Sequence, residues 1–221
     1  MAKVTRGKNL KDWKSQRPTS DTGKLRIIGG KYRGRQIEYS GDPVTRPMKE
    51  NTREATFNLV GGYAENRVVI DLFAGTGAIG LEAMSRGAES AFLVERHFPT
   101  VRIIKQNVRD LDQGMKVTIA ASDTFFWVRQ FLKGPALPTT PWLVFCCPPY
   151  ALYVDKIDEL STMLENLITA SPEDSLFVVE SDDKFDPETL PSGVAWETRK
   201  YAPALISIGR KPTGESQPQS G

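Results

Sequence analysis

Asp71-Leu72-Phe73-Ala74-Gly75-Thr76-Gly77-Ala78-Ile79-Gly80 is the stretch on which the reading of the fold turns. It grows out of VVIDLF (68–73), a continuous apolar run of the kind that forms a strand buried on both faces, and leads into a helical pattern over Ala78–Arg86. Glycines at such a junction have separate tasks: Gly75 lets the chain turn sharply, Gly77 lets backbone approach a ligand, and Gly80 lets the helix pack against the strand. Three readings fit the bare pattern: a dinucleotide site, an S-adenosylmethionine site, or a tight strand-to-helix turn.

Working outward, strand and helix patterns alternate. SAFLVE (90–95) reads as a strand, Pro99–Asp110 as a helix, Lys116–Ala121 as a strand and Thr124–Leu132 as a helix. WLVFCC (142–147) is a strand, Val154–Ala170 a helix and SLFVVE (175–180) a strand. Val194–Arg199 and Ala204–Ile208 close the series as two further strands, a hairpin that can add an antiparallel strand at one edge. Such alternation predicts a parallel sheet covered by helices on both faces. Upstream, Leu25–Ile28 and Gln36–Tyr39 are strand-like, with turn glycines Gly29, Gly30 and Gly34 between them, and a helix is expected from Met48 until Gly61-Gly62 stops it near Val60.

Two carboxylates favour S-adenosylmethionine. Asp71 precedes the glycine loop, where it would repel a pyrophosphate but attract the ammonium of a methionine moiety. Glu95 ends the next strand, where a carboxylate can grip a ribose diol. Asp123 ends the third strand and can accept from an adenine amino group, cap the following helix, or do both.

Phe145-Cys146-Cys147-Pro148-Pro149-Tyr150 follows the fourth strand. Two prolines fix the backbone and remove N–H groups, leaving carbonyls as acceptors. Tyr150 is an aromatic on which a flipped-out base can stack, or simply a packed side chain.

Bulk properties exclude several classes. A chain of 221 residues is one domain, with or without an appendage, and buries enough surface to need neither metal nor disulfide. No apolar run approaches the ~20 residues of a membrane span, and no signal-peptide core is visible, so a cytoplasmic protein is expected. One histidine and two adjacent cysteines cannot build a metal site or a Ser-His-Asp set. The formal net charge of +2 hides an asymmetry, because residues 1–53 hold 14 Lys/Arg against 5 Asp/Glu. A basic leading segment on an acidic body suits nucleic-acid binding, although basic tails also serve solubility alone.

These residues together resemble the RsmD family of bacterial 16S rRNA guanine-N2 methyltransferases. The matching text is RIIGGKYRGR (26–35), RPMKENTREATFN (46–58), DLFAGTGAIGLEAMSRGAE (71–89), Glu95, Asn107, CCPPY (146–150) and VVES (178–181). The resemblance implies an α/β fold: a Rossmann-like class I methyltransferase sheet, mostly parallel, of seven strands with helices on both faces, carrying an N-terminal β-hairpin extension. It implies S-adenosylmethionine as cofactor, held by Asp71, Phe73, Gly75, Gly77, Glu95 and Asp123, and a target base held by Cys147, Pro148, Pro149 and Tyr150. It also implies 16S rRNA in a pre-assembled small-subunit particle as partner; the chain itself is expected to be a monomer.

The expected organisation is a basic, disordered tail over 1–23, an RNA-binding hairpin and helix over 24–62, the methyltransferase domain over 63–210, and a disordered tail over 211–221. Lys31, Arg33, Arg35, Arg46 and Arg53 are the candidate phosphate contacts, Arg53 alternatively facing the methionine carboxylate or capping the pocket. One departure stands out: the family pattern has Asp before Pro-Pro, and this chain has Cys147. A thiol accepts a hydrogen bond more weakly than a carboxylate, and a thiolate requires a pKa lowered from about 8.5. The rival readings are therefore a methyltransferase acting on another RNA, DNA or protein amine, and a catalytically weakened RNA-binding homologue.

Overall fold

The computed structural model describes residues 23–39, 47–112 and 114–214. Their elements run β1 (Gly23–Arg26), β2 (Gln36–Tyr39), α1 (Glu50–Val60), β3 (Val68–Asp71), α2 (Ala78–Ser85), β4 (Ser90–Glu95), α3 (Phe98–Leu111), β5 (Val117–Ala121), α4 (Thr124–Leu132), β6 (Trp142–Cys146), α5 (Leu152–Asp155), α6 (Ile157–Ala170), β7 (Leu176–Asp182), β8 (Ala195–Tyr201) and β9 (Ala204–Arg210). Of the expected disordered tails, 1–22 and 215–221 fall outside the described residues, as does Arg46. Lys211, expected in the second tail, is instead tied to the fold: its backbone N–H donates to the Ser175 carbonyl at 2.9 Å and its ammonium to the Ser171 carbonyl at 2.6 Å. None of the described helices is long and apolar enough to cross a membrane.

Seven strands form one sheet in the order β5-β4-β3-β6-β7-β9-β8, while β1 and β2 make a separate antiparallel pair. β3 pairs in parallel with both β4 and β6, so the chain's direction of travel across the sheet reverses between β3 and β6. Open α/β sheets bind ligands at that reversal, outside the carboxyl ends of the strands. Every residue of β3 and β6 is buried, which is why their sequences read as unbroken apolar runs. One core lies on each face of the sheet, one around Phe57, Leu93 and Phe145, the other around Trp142, Leu164 and Phe177.

The closing hairpin does more than decorate an edge. β9 pairs antiparallel with β7, and β8 is the edge strand beyond it. The helix expected over Val154–Ala170 is two pieces, because Lys156 leaves helical geometry at φ −144° and ψ 33°.

The N-terminal hairpin begins two residues before its expected start. Ile28 and Gly29 do not continue β1, because their N–H groups donate to Glu82 on α2 at 2.7 and 2.8 Å. Gly30 adopts φ +74°, and a Cβ there would lie 1.9 Å from the Ser85 carbonyl, so only glycine lets this turn lie on α2. Ile27 and Ile37 bury against Ala78, Leu81 and Leu111 in a third apolar cluster. Burying two isoleucines is worth about 3–6 kcal/mol as an upper bound. Asn107 adds an edge-like pair from α3, accepting from Glu38 N–H and donating to Glu38 C=O, each at 2.8 Å. The hairpin is thus welded to α2 and α3.

Candidate active site

The carboxyl ends of five adjacent strands bring Asp123, Glu95, Asp71, Cys147 and Glu180 into one row, in the strand order β5, β4, β3, β6, β7. With neighbouring strands about 4.8 Å apart, such a row covers roughly 19 Å. The glycine loop after β3 and the Pro-Pro loop after β6 flank the point where the strand order reverses.

Gly75 has φ +50°, and a Cβ built there would meet nothing closer than the Phe73 carbonyl of its own loop, at 3.9 Å. Its open side is a cradle that a ligand can enter. Gly75 N–H donates to Glu95 Oε2 at 2.9 Å, and His97 N–H donates to Glu95 Oε1 at 2.7 Å. One carboxylate therefore ties the glycine loop to β4 while keeping acceptor capacity on both oxygens. Gly77 is buried at φ +78°, caps α2, and a Cβ there would crowd Ile104 at 3.1 Å, so packing and backbone conformation by themselves require a glycine here. Gly80 is needed for helix–strand packing, since a Cβ would fall 2.1 Å from Leu93.

Asp71 is 0% exposed. Its Oδ2 accepts from Gly80 N–H at 3.2 Å, and its Oδ1 has no partner among the described residues. Burial pushes its carboxyl up to about 7, against backbone hydrogen bonds that favour the anion. An orphaned buried oxygen beside an open glycine turn fits a cationic group such as a methionine ammonium. Asp123 caps α4, accepting Phe126 N–H at 3.0 Å, while its exposed side chain leaves room for a second partner. Phe73 is half-buried against the apolar cluster of Trp142 and Phe177.

At the Pro-Pro loop, Cys147 is a free thiol, as is Cys146. Burial, helped by the nearby Glu180 and Asp71 carboxyls, raises the Cys147 thiol well above its ordinary value. A thiolate at Cys147 is thereby disfavoured. Pro148 is buried and Pro149 exposed. The Pro149 and Tyr150 carbonyls take the Leu152 and Tyr153 N–H groups at 2.9 and 3.1 Å. Tyr150 is 37% exposed, its ring available at the loop surface and its hydroxyl donating to Glu180 Oε1 at 3.2 Å.

The candidate phosphate contacts separate into two kinds. Lys31, Arg33 and Arg35 are exposed on the hairpin turn; Lys31 pairs with Asp112 at 3.1 Å, and Arg35 donates to the Asp110 carbonyl at the end of α3. Arg53 is a correction. It is 1% exposed, donates to the Arg26 carbonyl at 2.6 Å, and cannot reach a phosphate because α1 turns it inward. Its Nε and Nη1 lack partners among the described residues, and burial lowers its pKa.

Two features escaped the sequence reading. Phe98, Arg102, Lys105 and Arg109 recur at helical spacing along α3 and are all exposed, Phe98 by 66%. Their i, i+4, i+7, i+11 pattern was legible in the sequence once the buried face of α3 was known. The stripe runs from the strand ends, where α3 follows β4, to the hairpin, where Arg35 meets Asp110. Glu180 is the second: it lies in the quoted VVES stretch but had no assigned role, because nothing local places its strand beside β6.

A family model described as Conserved hypothetical protein 95 matches residues 25–207. Over 183 residues the chain is 31% identical to the Ribosomal RNA small subunit methyltransferase D of Escherichia coli strain K12, covering 83% of this chain and 87% of that protein. It is 29% identical over 189 residues to YlbH of Bacillus subtilis strain 168, covering 85% of this chain and 99% of YlbH. The solved structure of yhhF from Escherichia coli aligns with TM-score 0.71 at 25% identity, over 86% of this chain and 99% of that one.

Proposed function

Since the chain belongs to the family described as Conserved hypothetical protein 95, the RsmD-like class I methyltransferases, we propose that it methylates the exocyclic N2 amino group of a guanine in 16S ribosomal RNA, using S-adenosylmethionine. The observation that carries this reading is the pairing, across one strand reversal, of a cofactor cradle and a target shelf. Gly75, Glu95 and the orphaned Oδ1 of Asp71 form the first, and Cys147, Pro148, Pro149 and Tyr150 the second.

Asp71 would hold the methionine ammonium, Glu95 the ribose hydroxyls and Asp123 the adenine edge. When bound, S-adenosylmethionine supplies a methyl group on a positively charged sulfur, which the acceptor nitrogen's lone pair takes as the carbon–sulfur bond pair leaves on sulfur. The protein's contribution is then mainly to hold the two partners in line. Tyr150 stacks on the extruded base, and the buried Pro148 fixes the backbone behind it. Lys31, Arg33 and Arg35, with the α3 stripe, hold the RNA backbone by charge, and Phe98 at the head of the stripe offers a stacking face. The name of the Escherichia coli relative points to the small subunit as the source of that RNA.

A second reading keeps RNA binding and weakens catalysis, and the neutral thiol of Cys147 favours it. Tritiated methyl transfer onto small-subunit particles from cells lacking this gene, followed by nucleoside analysis, tests both. N2-methylguanosine is the expected product. A different methylated nucleoside would move the assignment to another acceptor, and particle binding without any transfer would favour the weakened homologue.

A further inference from the structure

Cys147 leaves the target amine without a strong acceptor, and the neighbouring strand carries one. Register pairs Cys146 with Val179, so Cys147, just past β6, and Glu180, on β7, lie at the same level. The Tyr150 hydroxyl donates to Glu180 Oε1 at 3.2 Å, and the Tyr153 hydroxyl donates to the Glu180 carbonyl at 2.7 Å. The Tyr150 bond holds the carboxylate beside the shelf where the base would stack, and the Tyr153 bond ties down the backbone that carries it. Glu180 is only half-buried, and Oε2 receives no hydrogen bond from the described residues. Asp71 is already assigned to the methionine ammonium on the cradle side, with its other oxygen accepting from Gly80.

We propose that Glu180 is the acceptor that stands in for the missing aspartate: its carboxylate takes a hydrogen bond from the target amino group and then the proton that group releases. The assignment rests on the methyl-transfer reading of the site. The amine arrives with two hydrogens. After its lone pair has become the bond to the methyl carbon, the nitrogen carries both hydrogens and a positive charge. One N–H bond pair returns to nitrogen while its proton moves to a Glu180 oxygen, leaving a neutral methylamine and a neutral carboxylic acid; water removes that proton when product leaves. Among the described residues, the ionisable groups around Glu180 are the Cys147 thiol, the Tyr150 and Tyr153 phenols and the Asp182 carboxylate, while β9 presents the apolar Ile206. None of these is cationic, and burial raises the Glu180 carboxyl, with the Tyr150 bond opposing, which makes it a better proton acceptor.

The test is single-turnover methyl transfer onto unmodified small-subunit particles from about pH 5 to about pH 9, a range chosen to bracket a raised carboxyl, with S-adenosylmethionine saturating at every pH so that protonation of Asp71 does not enter the rate. Calorimetry of S-adenosylhomocysteine binding accompanies each variant. Wild-type transfer should fall on the acid side as Glu180 protonates. Glu180→Gln should slow transfer by about 10²–10⁴-fold, abolish the acid limb and keep S-adenosylhomocysteine affinity. Tyr150→Phe, which keeps the ring and loses the hydroxyl, should lose far less, and Cys147→Asp combined with Glu180→Gln should recover at least about tenfold over Glu180→Gln alone. Equal losses in Glu180→Gln and Tyr150→Phe would show that Glu180 only holds the ring, and overturn the proposal. So would a wild-type profile without an acid limb, even if Glu180→Gln does not fold. Absence of any wild-type transfer would instead overturn the reading of the site itself.

Discussion

Glu95 reaches from the end of β4 to the backbone of Gly75 in the loop after β3, accepting its N–H at 2.9 Å. The residue proposed to grip the ribose therefore also fixes the turn that the cofactor must enter. Removing it should cost twice, through the lost ligand contact and the loosened loop. Glu95→Ala is expected to weaken S-adenosylmethionine and S-adenosylhomocysteine binding by at least about 1–3 kcal/mol, the usual range for a charge-assisted hydrogen bond. Calorimetry checks this, and NAD should give no binding. Tight NAD binding, or unchanged affinity in the variant, would remove the cofactor assignment.

Asp71 provides a pH test. Its carboxyl is held up to about 7 by burial, well above an unfolded aspartate. A raised acid makes the folded state bind more protons than the unfolded one between those two values. Its contribution to stability is thus greatest at acid pH and declines as pH rises towards neutrality, by on the order of 4 kcal/mol at most. Asp71→Asn should be more stable than wild type at about pH 8, with the advantage shrinking towards about pH 5, in urea unfolding without cofactor. Cofactor affinity of the wild type should fall as pH drops below about 7, because a neutral acid no longer attracts an ammonium. A stability difference independent of pH contradicts the assignment of a buried, strained carboxylate.

The two kinds of arginine are separable by salt. Changing Arg102, Lys105 and Arg109 together to Ala should flatten the plot of log RNA affinity against log salt by up to about three units, one per lost phosphate contact. S-adenosylhomocysteine affinity should barely move. Arg53→Ala should leave the slope unchanged and instead lower stability, because the Arg26 carbonyl loses its donor and a buried volume is left empty. A slope change in Arg53→Ala, or none in the triple variant, would reverse the assignment of faces.

At position 147, a carboxylate restores the acceptor that the thiol provides poorly. Cys147→Asp is expected to raise single-turnover transfer by roughly 10²-fold, the low end of what an oriented hydrogen bond contributes in an active site. Because burial holds the thiol neutral, the wild-type rate should not climb through the alkaline range of an ordinary thiol. A rate that rises there and is abolished by alkylation would demonstrate a working thiolate.

The sequence by itself determined the chemistry of each strand end. Apolar runs at 68–73 and 142–147, the glycine loop and the Pro-Pro shelf are local patterns, and local patterns report backbone conformation and burial directly. Asp71, Glu95 and Asp123 could be placed at strand ends because a strand end is a one-dimensional feature. Only the tertiary structure decided what each side chain meets. Arg53 reads like its exposed neighbours, yet the rotation of α1 buries it; the charge asymmetry of residues 1–53 cannot register which face of a helix turns inward. Gly77 answers to Ile104, 27 positions away, and Glu180 to Tyr150, 30 positions away. The hairpin's start depends on Glu82 capturing the Ile28 and Gly29 N–H groups, a contact across more than 50 residues. Hydrogen bonds and packing act over a few ångströms, and two segments far apart in the chain come that close only after the sheet order is settled.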